Sequence, residues 1–373
     1  MKMFLKMCMI LGIAFAGVAC TNDSGDTGKE IKVAMVTDYG DITDQSFNQT
    51  TYEAAKEWCE DNEVEFTYKK PATDSDTDRA ASMEEAIEDG YNVLILPGYA
   101  FAKAIVDVAP NYKDVKFVAL DVSENDLFTA NNKADFKEDN VFCAVYQEEY
   151  SGYMAGYAAV KLGYRKLGFV GGMAVPAVIR FGFGYVEGIN AAAKELNITD
   201  KVEVVYAYGN QFYGDADITA RMDTWYSNGT EIVFACGGGI YTSAAEAAQK
   251  VNGKVIGVDV DQKAIIDGDY GDKMTVTSAM KGLAPTVKTL LTAILNGKWS
   301  DYSGKIQTLG LVSEDPYANY VQLPSTTQFG EGFSEDDYKA LVKNMLDGTI
   351  KVNNQTEKMP TVDIKVTDEG NIK

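Results

Sequence analysis

Short apolar runs and amphipathic segments alternate along most of the chain. In the first half, the runs IKVAMV (31–36), NVLILPG (92–98) and VKFVALD (115–121) are separated by helical patterns such as QTTYEAAKEWCED (49–61). Runs that are apolar throughout indicate strands buried on both faces, and helices between such strands indicate a parallel sheet. The pattern predicts a doubly wound α/β lobe.

The same alternation restarts near Tyr150. Three strand-like runs, KLGFVGG (166–172), EIVFACGGG (231–239) and KVIGVDVD (254–261), again lie between helical patterns. This predicts a second lobe of similar size with the same connectivity. A further strand, a helix and two short extended runs follow Asp261. These remaining elements need partners, and the economical arrangement sends the chain back to the first lobe and out again through a hinge of several strands.

The N-terminus has the pattern of a signal peptide. Lys2 and Lys6 flank the start of an apolar segment, MCMILGIAFAGVAC (7–20), that is too short to cross a bilayer as a mature helix. Small residues precede Cys20 and a polar stretch follows it, which resembles a bacterial lipobox in which that cysteine is lipidated. A plain secretory cleavage is the alternative. We therefore expect a lipid-anchored protein on the extracytoplasmic face of a cell membrane.

These patterns predict the organisation of the whole chain. We expect a signal peptide at 1–19, a lipid-anchored tether at 20–30, a first lobe from 31–145 and 262–303, a second lobe from 146–261 and 304–325, and a C-terminal helix and tail at 326–373.

Composition excludes several classes of function. The chain of 373 residues has 55 acidic and 34 basic residues, a net charge of -21, so it would repel nucleic acid. It has no histidine, which excludes nucleophiles activated by histidine and most zinc catalysis. Cys59, Cys143 and Cys236 lie far apart in apolar surroundings, and we expect buried free thiols.

Ligands of open α/β sheets bind outside the carboxyl ends of the strands. The residues just past each strand are therefore candidates for one site in the cleft between two facing lobes. Asp259 and Asp261 end one strand and Lys281 ends the next, so carboxylates would surround a single cation. A purely structural ion pair at the hinge is the alternative. The glycines at 237–239 mark a place where the backbone approaches something closely, or only a tight turn.

Two further motifs have simpler explanations. The stretch DSDTDRAASMEE (74–85) has carboxylates at several positions of a calcium loop, but Arg79 stands where the sharp turn requires glycine. We expect a polar loop in which Asp76 or Asp78 caps the following helix. No phosphate-binding glycine motif occurs, and nothing in the sequence requires a cofactor or a metal.

Four segments, in order, resemble the signature segments of the basic membrane protein family of lipoproteins. They are AMVTDYGDITDQSFNQTTYEAA (34–55), GFVGGMAVPAVIRFGFGYVEGIN (168–190), VIGVDVDQ (255–262) and TVTSAMKG (275–282). The family includes substrate-binding proteins of ABC transporters of the purine nucleoside receptor A type. The resemblance implies a type I periplasmic-binding-protein fold, with two doubly wound parallel-sheet lobes joined by a three-strand hinge.

The resemblance also implies roles for individual residues. Asp38 and Asn48 match the acid and amide that contact the base, Phe47 and Phe181 match the aromatic residues that enclose it, and Asp121 matches a further polar contact. Asp259 and Lys281 match the pair that holds the ribose, and Gly237 and Gly238 complete the ligand-binding set. An amide offers a donor and an acceptor to a purine edge, while a carboxylate accepts hydrogen bonds from ribose hydroxyls.

We therefore expect a binding protein without catalytic activity that delivers a purine nucleoside (guanosine, inosine or adenosine) to an ABC permease. A receptor for a sugar or another small metabolite on the same fold is one alternative. A surface adhesin or antigen with a vestigial cleft is another. A nucleoside hydrolase is the enzymatic alternative, although no residue supplies a nucleophile or a metal ligand set.

Overall fold

A computed structural model describes residues 30–372 of the chain. The predicted signal peptide, Cys20 and the predicted tether up to residue 29 lie outside the described residues.

Strands and helices alternate as the sequence pattern predicts. The first half contains β1 (Lys32–Val36), α1 (Phe47–Asp61), β2 (Glu65–Lys69), α2 (Asp76–Glu88), β3 (Val93–Pro97), α3 (Ala102–Val108), β4 (Lys116–Leu120), α4 (Glu124–Ala130) and β5 (Val141–Tyr146). The second half begins with α5 (Glu148–Lys161), β6 (Lys166–Gly171), α6 (Pro176–Glu195), β7 (Glu203–Tyr208), α7 (Ala216–Ser227), β8 (Ile232–Cys236), α8 (Tyr241–Val251), β9 (Lys254–Asp259) and α9 (Lys263–Tyr270). The chain continues through β10 (Thr275–Lys281), α10 (Leu283–Leu295), β11 (Ile306–Leu309), β12 (Val321–Gln322), α11 (Glu335–Leu346) and β13 (Lys365–Asn371).

The strands form two separate sheets. The first has the order β11-β5-β4-β3-β1-β2, and the second has the order β12-β10-β9-β8-β6-β7-β13. Apart from the antiparallel pairing of β12 with β10, neighbouring strands are parallel. Each sheet is buried on both faces: Val33 and Met35 of β1 pack into one core, while Ala34 and Val36 pack into another. The predicted fold class, two parallel-sheet α/β lobes, is confirmed.

The predicted lobe boundaries are wrong in the last third of the chain. Strand β10 pairs with β9 and so belongs to the second lobe, whereas 262–303 was assigned to the first. Strand β11 pairs with β5 in the first lobe, whereas 304–325 was assigned to the second. The predicted C-terminal tail also supplies β13, which pairs with β7. Burial on both faces shows that a run is a strand in a covered sheet, but it does not specify the partner.

The chain crosses between the two sheets three times. The crossings lie between β5 and α5, between β10 and α10, and between β11 and β12. Helix α10 packs on the first lobe, where Leu290 and Leu291 share a core with Ala54 and Trp58 of α1. The second crossing therefore begins directly at Lys281, the last residue of β10.

Helices α5 and α6 pack with their backbones in contact. A β-carbon on Gly152 would lie 2.1 Å from the carbonyl oxygen of Phe181, and one on Gly188 would lie 2.1 Å from that of Tyr153. Because ordinary atoms cannot approach so closely, glycine is required at both positions. This contact fixes α6 against the start of α5, next to the first crossing.

Cys59, Cys143 and Cys236 are buried and free, as predicted. Within residues 30–372, no helix combines the length and the apolar character needed to cross a membrane.

Candidate functional site

A cavity of about 660 Å³ lies between the two lobes at the carboxyl ends of their strands. Residues that follow or end β1, β3 and β4 line it from the first sheet, and residues that follow or end β6, β8, β9 and β10 line it from the second. All nine predicted ligand-binding residues line this cavity: Asp38, Phe47, Asn48, Asp121, Phe181, Gly237, Gly238, Asp259 and Lys281. The residues that lie beyond the strand ends therefore come together around one cavity, as expected for an open α/β sheet.

Asp38 directly follows the buried strand β1 and Thr37. Its Oδ1 accepts hydrogen bonds from the backbone N–H groups of Tyr39, at 2.6 Å, and Gly40, at 2.9 Å. Burial raises the pKa of Asp38, although the two backbone donors act in the opposite direction. The carboxyl group is thus fixed in place at the wall of the cavity.

Asn48 lies in the first turn of α1 and is also buried. Its Nδ2 donates to Oδ2 of Asp44 at 3.3 Å, and its backbone N–H donates to the same oxygen at 3.0 Å. Its Oδ1 has no hydrogen-bond partner among residues 30–372. The side chain lines the cavity, and this oxygen is buried without a partner.

Lys281 lies at the centre of a cluster of carboxylates. Its Nζ is 2.6 Å from Oδ2 of Asp121, 3.4 Å from Oε1 of Glu148 and 4.0 Å from Oδ1 of Asp259. Burial lowers the pKa of Lys281, but the three carboxylates outweigh burial, so the net shift is upward. The amine is held in its charged form.

Aromatic rings surround the same ammonium group. Nζ of Lys281 lies 4.7 Å from the ring centroid of Phe47, 5.4 Å from that of Tyr146 and 5.8 Å from that of Phe181. A cation within about 6 Å of a ring face is attracted by the ring quadrupole. Phe181 is only 2% exposed and packs edge-on against Phe234, so part of its ring belongs to the core of the second lobe.

Asp121 and Asp259 occupy equivalent positions, one in each lobe. They follow or end β4 and β9, and both have left-handed backbone conformations, with φ of 62° and 63°. A residue other than glycine in this region costs about 1 to 2 kcal/mol. The matching strained turns direct both carboxylates towards Lys281.

The lobes also contact each other directly beside this cluster. Oγ of Ser46, in the first lobe, donates to Oδ2 of Asp259 at 2.6 Å. Nε2 of Gln262, in the second lobe, donates to the carbonyl oxygen of Gln45 at 3.0 Å. The two lobes are therefore in direct contact on this side of the cavity.

Glu148 is a site residue that the strand-end rule missed. Glu148 is fully buried at the start of α5; its Oε2 accepts from Nε of Arg180 at 2.7 Å while its Oε1 faces Lys281. Arg180 lines the cavity from α6. The signal was a pair of adjacent acids, Glu148 and Glu149, opening a helix that is otherwise largely apolar.

Phe212 explains the glycines of the segment CGGG. A β-carbon on Gly237 would lie 2.9 Å from the Phe212 ring, and one on Gly238 would lie 2.7 Å from the Phe212 carbonyl oxygen. Both glycines also have positive φ. The ring of Phe212 lies 6.3 Å from that of Tyr39 across the cleft. Phe212 is thus an aromatic wall of the cavity that sequence reasoning missed.

Asp261 does not join the Lys281 cluster. Its carboxylate accepts hydrogen bonds from Oγ1 of Thr326 at 2.6 Å and from the backbone N–H of Lys263 at 3.1 Å, and it does not line the cavity. Because β9 ends at Asp259 with a left-handed residue, the chain turns away before position 261. The expectation that Asp261 takes part is wrong.

In the candidate calcium loop, an arginine side chain pairs with the carboxylates that would otherwise bind a cation. Arg79 is 5% exposed and pairs with Asp74 at 2.6 Å and Asp76 at 2.9 Å. Ser75, rather than Asp76 or Asp78, caps α2 by accepting the backbone N–H of Asp78. The guanidinium group supplies the positive charge that these carboxylates need.

Glu149 should make stability depend on pH. Burial and the neighbouring Glu148 raise its pKa to about 7, from an ordinary value of 4.5. Between pH 4.5 and 7, Glu149 is therefore protonated in the folded protein but ionised in the unfolded chain. Because the folded state binds the extra proton, the free energy of unfolding falls as pH rises through this range. Glu149→Gln should be more stable than the original chain by on the order of 3 kcal/mol at pH 8 and nearly equal to it at pH 4.5. Urea unfolding at both values tests this, and an equal difference at both would contradict it.

Comparisons with known proteins agree with this architecture. A family model described as "ABC transporter substrate-binding protein PnrA-like" matches residues 31–315. The chain is 30% identical over 318 residues to the "ABC transporter nucleoside-binding protein BmpA" of Lactococcus lactis, covering 79% of this chain and 84% of that protein. It is 26% identical over 339 residues to an "uncharacterized lipoprotein" of Pyrococcus horikoshii, covering 86% and 78%.

A solved structure shows the same fold. An ABC transporter solute-binding protein from Aeropyrum pernix superposes with a TM-score of 0.67 at 20% identity, covering 86% of this chain and 87% of that one.

Proposed function

Because the chain belongs to the PnrA-like family of ABC transporter substrate-binding proteins, we propose that it captures a purine nucleoside between its lobes and delivers it to an ABC permease. The observation that carries the proposal is the pairing of two polar clusters in one cavity with aromatic walls. One cluster is Asp38 with Asn48, and the other is Lys281 with its carboxylates.

The Lys281 cluster has the chemistry required for a ribose. Carboxylates of Asp121 and Asp259 can accept hydrogen bonds from vicinal hydroxyl groups, while the ammonium group donates to sugar oxygens. Oδ1 of Asp121 is buried and has no hydrogen-bond partner among residues 30–372. We assign the ribose to this end of the cavity.

The aromatic walls have the chemistry required for a base. Phe47 precedes Asn48 at the start of α1, and its ring faces Lys281, so it connects the two clusters. Phe181 and Phe212 line the cavity from the second lobe. A flat heteroaromatic ring gains about 1 to 3 kcal/mol from stacking on such a side chain.

The charge of the cavity favours a neutral ligand. Seven aspartates line it, at positions 38, 41, 44, 74, 121, 126 and 259, against two cations, Lys281 and Arg180. A phosphate group would meet repulsion from this excess of carboxylates. Nucleosides are therefore preferred over nucleotides, which agrees with the name of the Lactococcus relative, a nucleoside-binding protein.

Asp259→Ala should weaken nucleoside binding by about 2 to 4 kcal/mol, because it removes one partner of a desolvated charged hydrogen bond. Free purine bases, which lack the ribose, should be little affected. Calorimetry with guanosine and guanine measures both effects. Asp261→Ala, two residues further on and outside the cavity, is the matched control and should leave both affinities unchanged. Equal losses for nucleoside and base would remove Asp259 from the ribose role.

We further propose that Cys20 carries a lipid that anchors the protein to the extracytoplasmic face of the membrane. The lipobox-like segment supports this, and so does the name of the Pyrococcus relative, a lipoprotein. The full chain has a net charge of -21, and such an excess of acidic residues provides no attraction to an anionic bilayer. Cys20→Ala should therefore move the protein from the membrane fraction to the soluble fraction while nucleoside binding persists. Retention of the variant in salt-washed membranes would contradict the anchor.

A further inference from the structure

Glu148 connects the two cations that line the cavity. Its Oε2 accepts a hydrogen bond from Nε of Arg180 at 2.7 Å, and its Oε1 accepts one from Nζ of Lys281 at 3.4 Å. The side chain of Glu148 is 0% exposed, and Glu148 is not among the residues that line the cavity. Its carboxylate therefore lies behind the cavity wall and reaches a ligand only through these two cations.

Arg180 depends on Glu148 more than Lys281 does. Lys281 also pairs with Asp121 and Asp259, whereas Glu148 is the only ion-pair partner of Arg180 among residues 30–372. A guanidinium group has five N–H donors in a planar fork that matches the oxygens of a phosphate. The Arg180 side chain is 15% exposed and lines the cavity. Without the buried carboxylate, it would have the chemistry of an anion-binding group.

This ion pair lies at the end of the cavity to which we assign the ribose. A single carboxylate contacts both Arg180 and Lys281, so the two cations lie side by side. Three carboxylates, those of Glu148, Asp121 and Asp259, stand against these two cations. A phosphate on the ribose would add about -1.5 charges near pH 6, where its second proton dissociates. Repulsion between like charges is strong in a buried site, because little water is present to screen it.

We propose that Glu148 is a positioning residue that determines specificity: it neutralises Arg180, so that the cavity accepts neutral nucleosides and rejects nucleoside 5′-phosphates. The proposal rests on the nucleoside function proposed above and specifies which residue sets the charge of its substrate. Glu148→Gln removes one buried negative charge with little change in volume, and it retains an acceptor for Nε of Arg180. The guanidinium charge then has no carboxylate opposite it and is available to a phosphate.

Calorimetry at pH 6 with guanosine, adenosine and their 5′-monophosphates tests the proposal. In the unaltered protein, the nucleoside that binds should bind at least about 10-fold more tightly than its monophosphate, because like charges oppose the phosphate. In Glu148→Gln, the ratio of the two affinities should shift towards the monophosphate by at least about 10-fold, the usual effect of a hydrogen bond between charged groups. A monophosphate that binds the unaltered protein as tightly as its nucleoside would overturn the proposal, and so would an unchanged ratio in a folded Glu148→Gln variant. Failure of both nucleosides to bind the unaltered protein would overturn the nucleoside function as well.

Glu149→Gln is the matched control. Glu149 is the next residue of α5 and is 2% exposed, but its Oε2 has no hydrogen-bond partner among residues 30–372. Burial raises the pKa of Glu149 to about 7, so the side chain is largely protonated at pH 6 and the substitution removes little charge. The ratio of nucleoside to monophosphate affinity should therefore stay unchanged. A shift as large as that of Glu148→Gln would contradict the assignment of selectivity to the charge of Glu148.

Arg180→Met should change the ratio in the opposite direction. The substitution leaves Glu148 with Lys281 as its only cation, so the cavity becomes more negative and the monophosphate should lose at least about 10-fold in affinity relative to its nucleoside. A purely structural role of the ion pair would instead lower the affinities of both ligands alike in both variants. If Glu148→Gln does not fold, Arg180→Met decides alone, and an unchanged ratio in that variant would contradict the proposal.

Discussion

Lys281→Met should lower the free energy of unfolding by about 3 to 5 kcal/mol, the usual result of removing one partner from a buried ion pair. The substitution leaves Asp121 and Asp259 without a neutralising charge, and Glu148 retains only Arg180. The side chain of Lys281 is 3% exposed, so water cannot compensate for the loss. Urea unfolding of the ligand-free protein measures the effect.

Lys288→Met is the matched control. The ammonium group of Lys288 pairs with Glu57 at 2.5 Å, but the two side chains are 41% and 62% exposed. Exposed ion pairs contribute about 0 to 1 kcal/mol, so this variant should unfold almost as the original chain does. If both variants lose the same small amount, burial of the Lys281 cluster is not what makes it important.

Gly188→Ala should destabilise the second lobe by about 3 kcal/mol, at the upper end of ordinary overpacking. The new β-carbon would lie 2.1 Å from the carbonyl oxygen of Tyr153, so α6 must move away from α5 by more than an ångström. The shift would disturb a core shared by both helices, including Met154 and Ile189. Thermal and urea unfolding measure the loss.

Gly268→Ala is the control for this substitution. Gly268 lies within α9, and a β-carbon there would meet no atom within 4 Å. Alanine should therefore stabilise the protein by about 0.5 to 1 kcal/mol, through its better helix propensity. A comparable loss at both positions would show that the close approach of α5 and α6 is not the cause.

The strands and helices of this fold were predictable because the pattern of apolar residues indicates which segments are buried. Runs such as NVLILPG can be buried on both faces only within a covered parallel sheet. The pairing of the last strands was not predictable in the same way. Strand β10 has only three apolar residues among its seven, and β11 has only four residues. Neither pattern specifies a partner, and the partners depend on where α10 packs.

Some residues of the candidate site were also predictable from the sequence, and others were not. Asp38, Asp121, Asp259 and Lys281 were found because parallel strands deliver their ends to one place. Glu148 was not found, because it lies on a helix, where a charge usually faces solvent, and only the close packing of α5 on α6 buries it beside Arg180.

Phe212 was missed for a different reason. It lies in a loop after β7, and its contact with Gly237 and Gly238 joins segments that are distant in sequence. The glycines did indicate a place where the backbone is closely approached. The group that approaches them is Phe212 of the same chain, and both glycines also line the cavity.

The most direct test of the central claim is identification of the ligand itself. The chain from residue 21 onward should be purified, denatured to release any bound molecule, and then refolded and titrated by calorimetry with guanosine, inosine, adenosine, ribose and arabinose. We expect mass spectrometry to find a purine nucleoside in the released fraction, and calorimetry to find one binding site per chain for purine nucleosides but none for the free sugars. A sugar in the released fraction, together with no heat from any nucleoside, would contradict nucleoside capture by this protein.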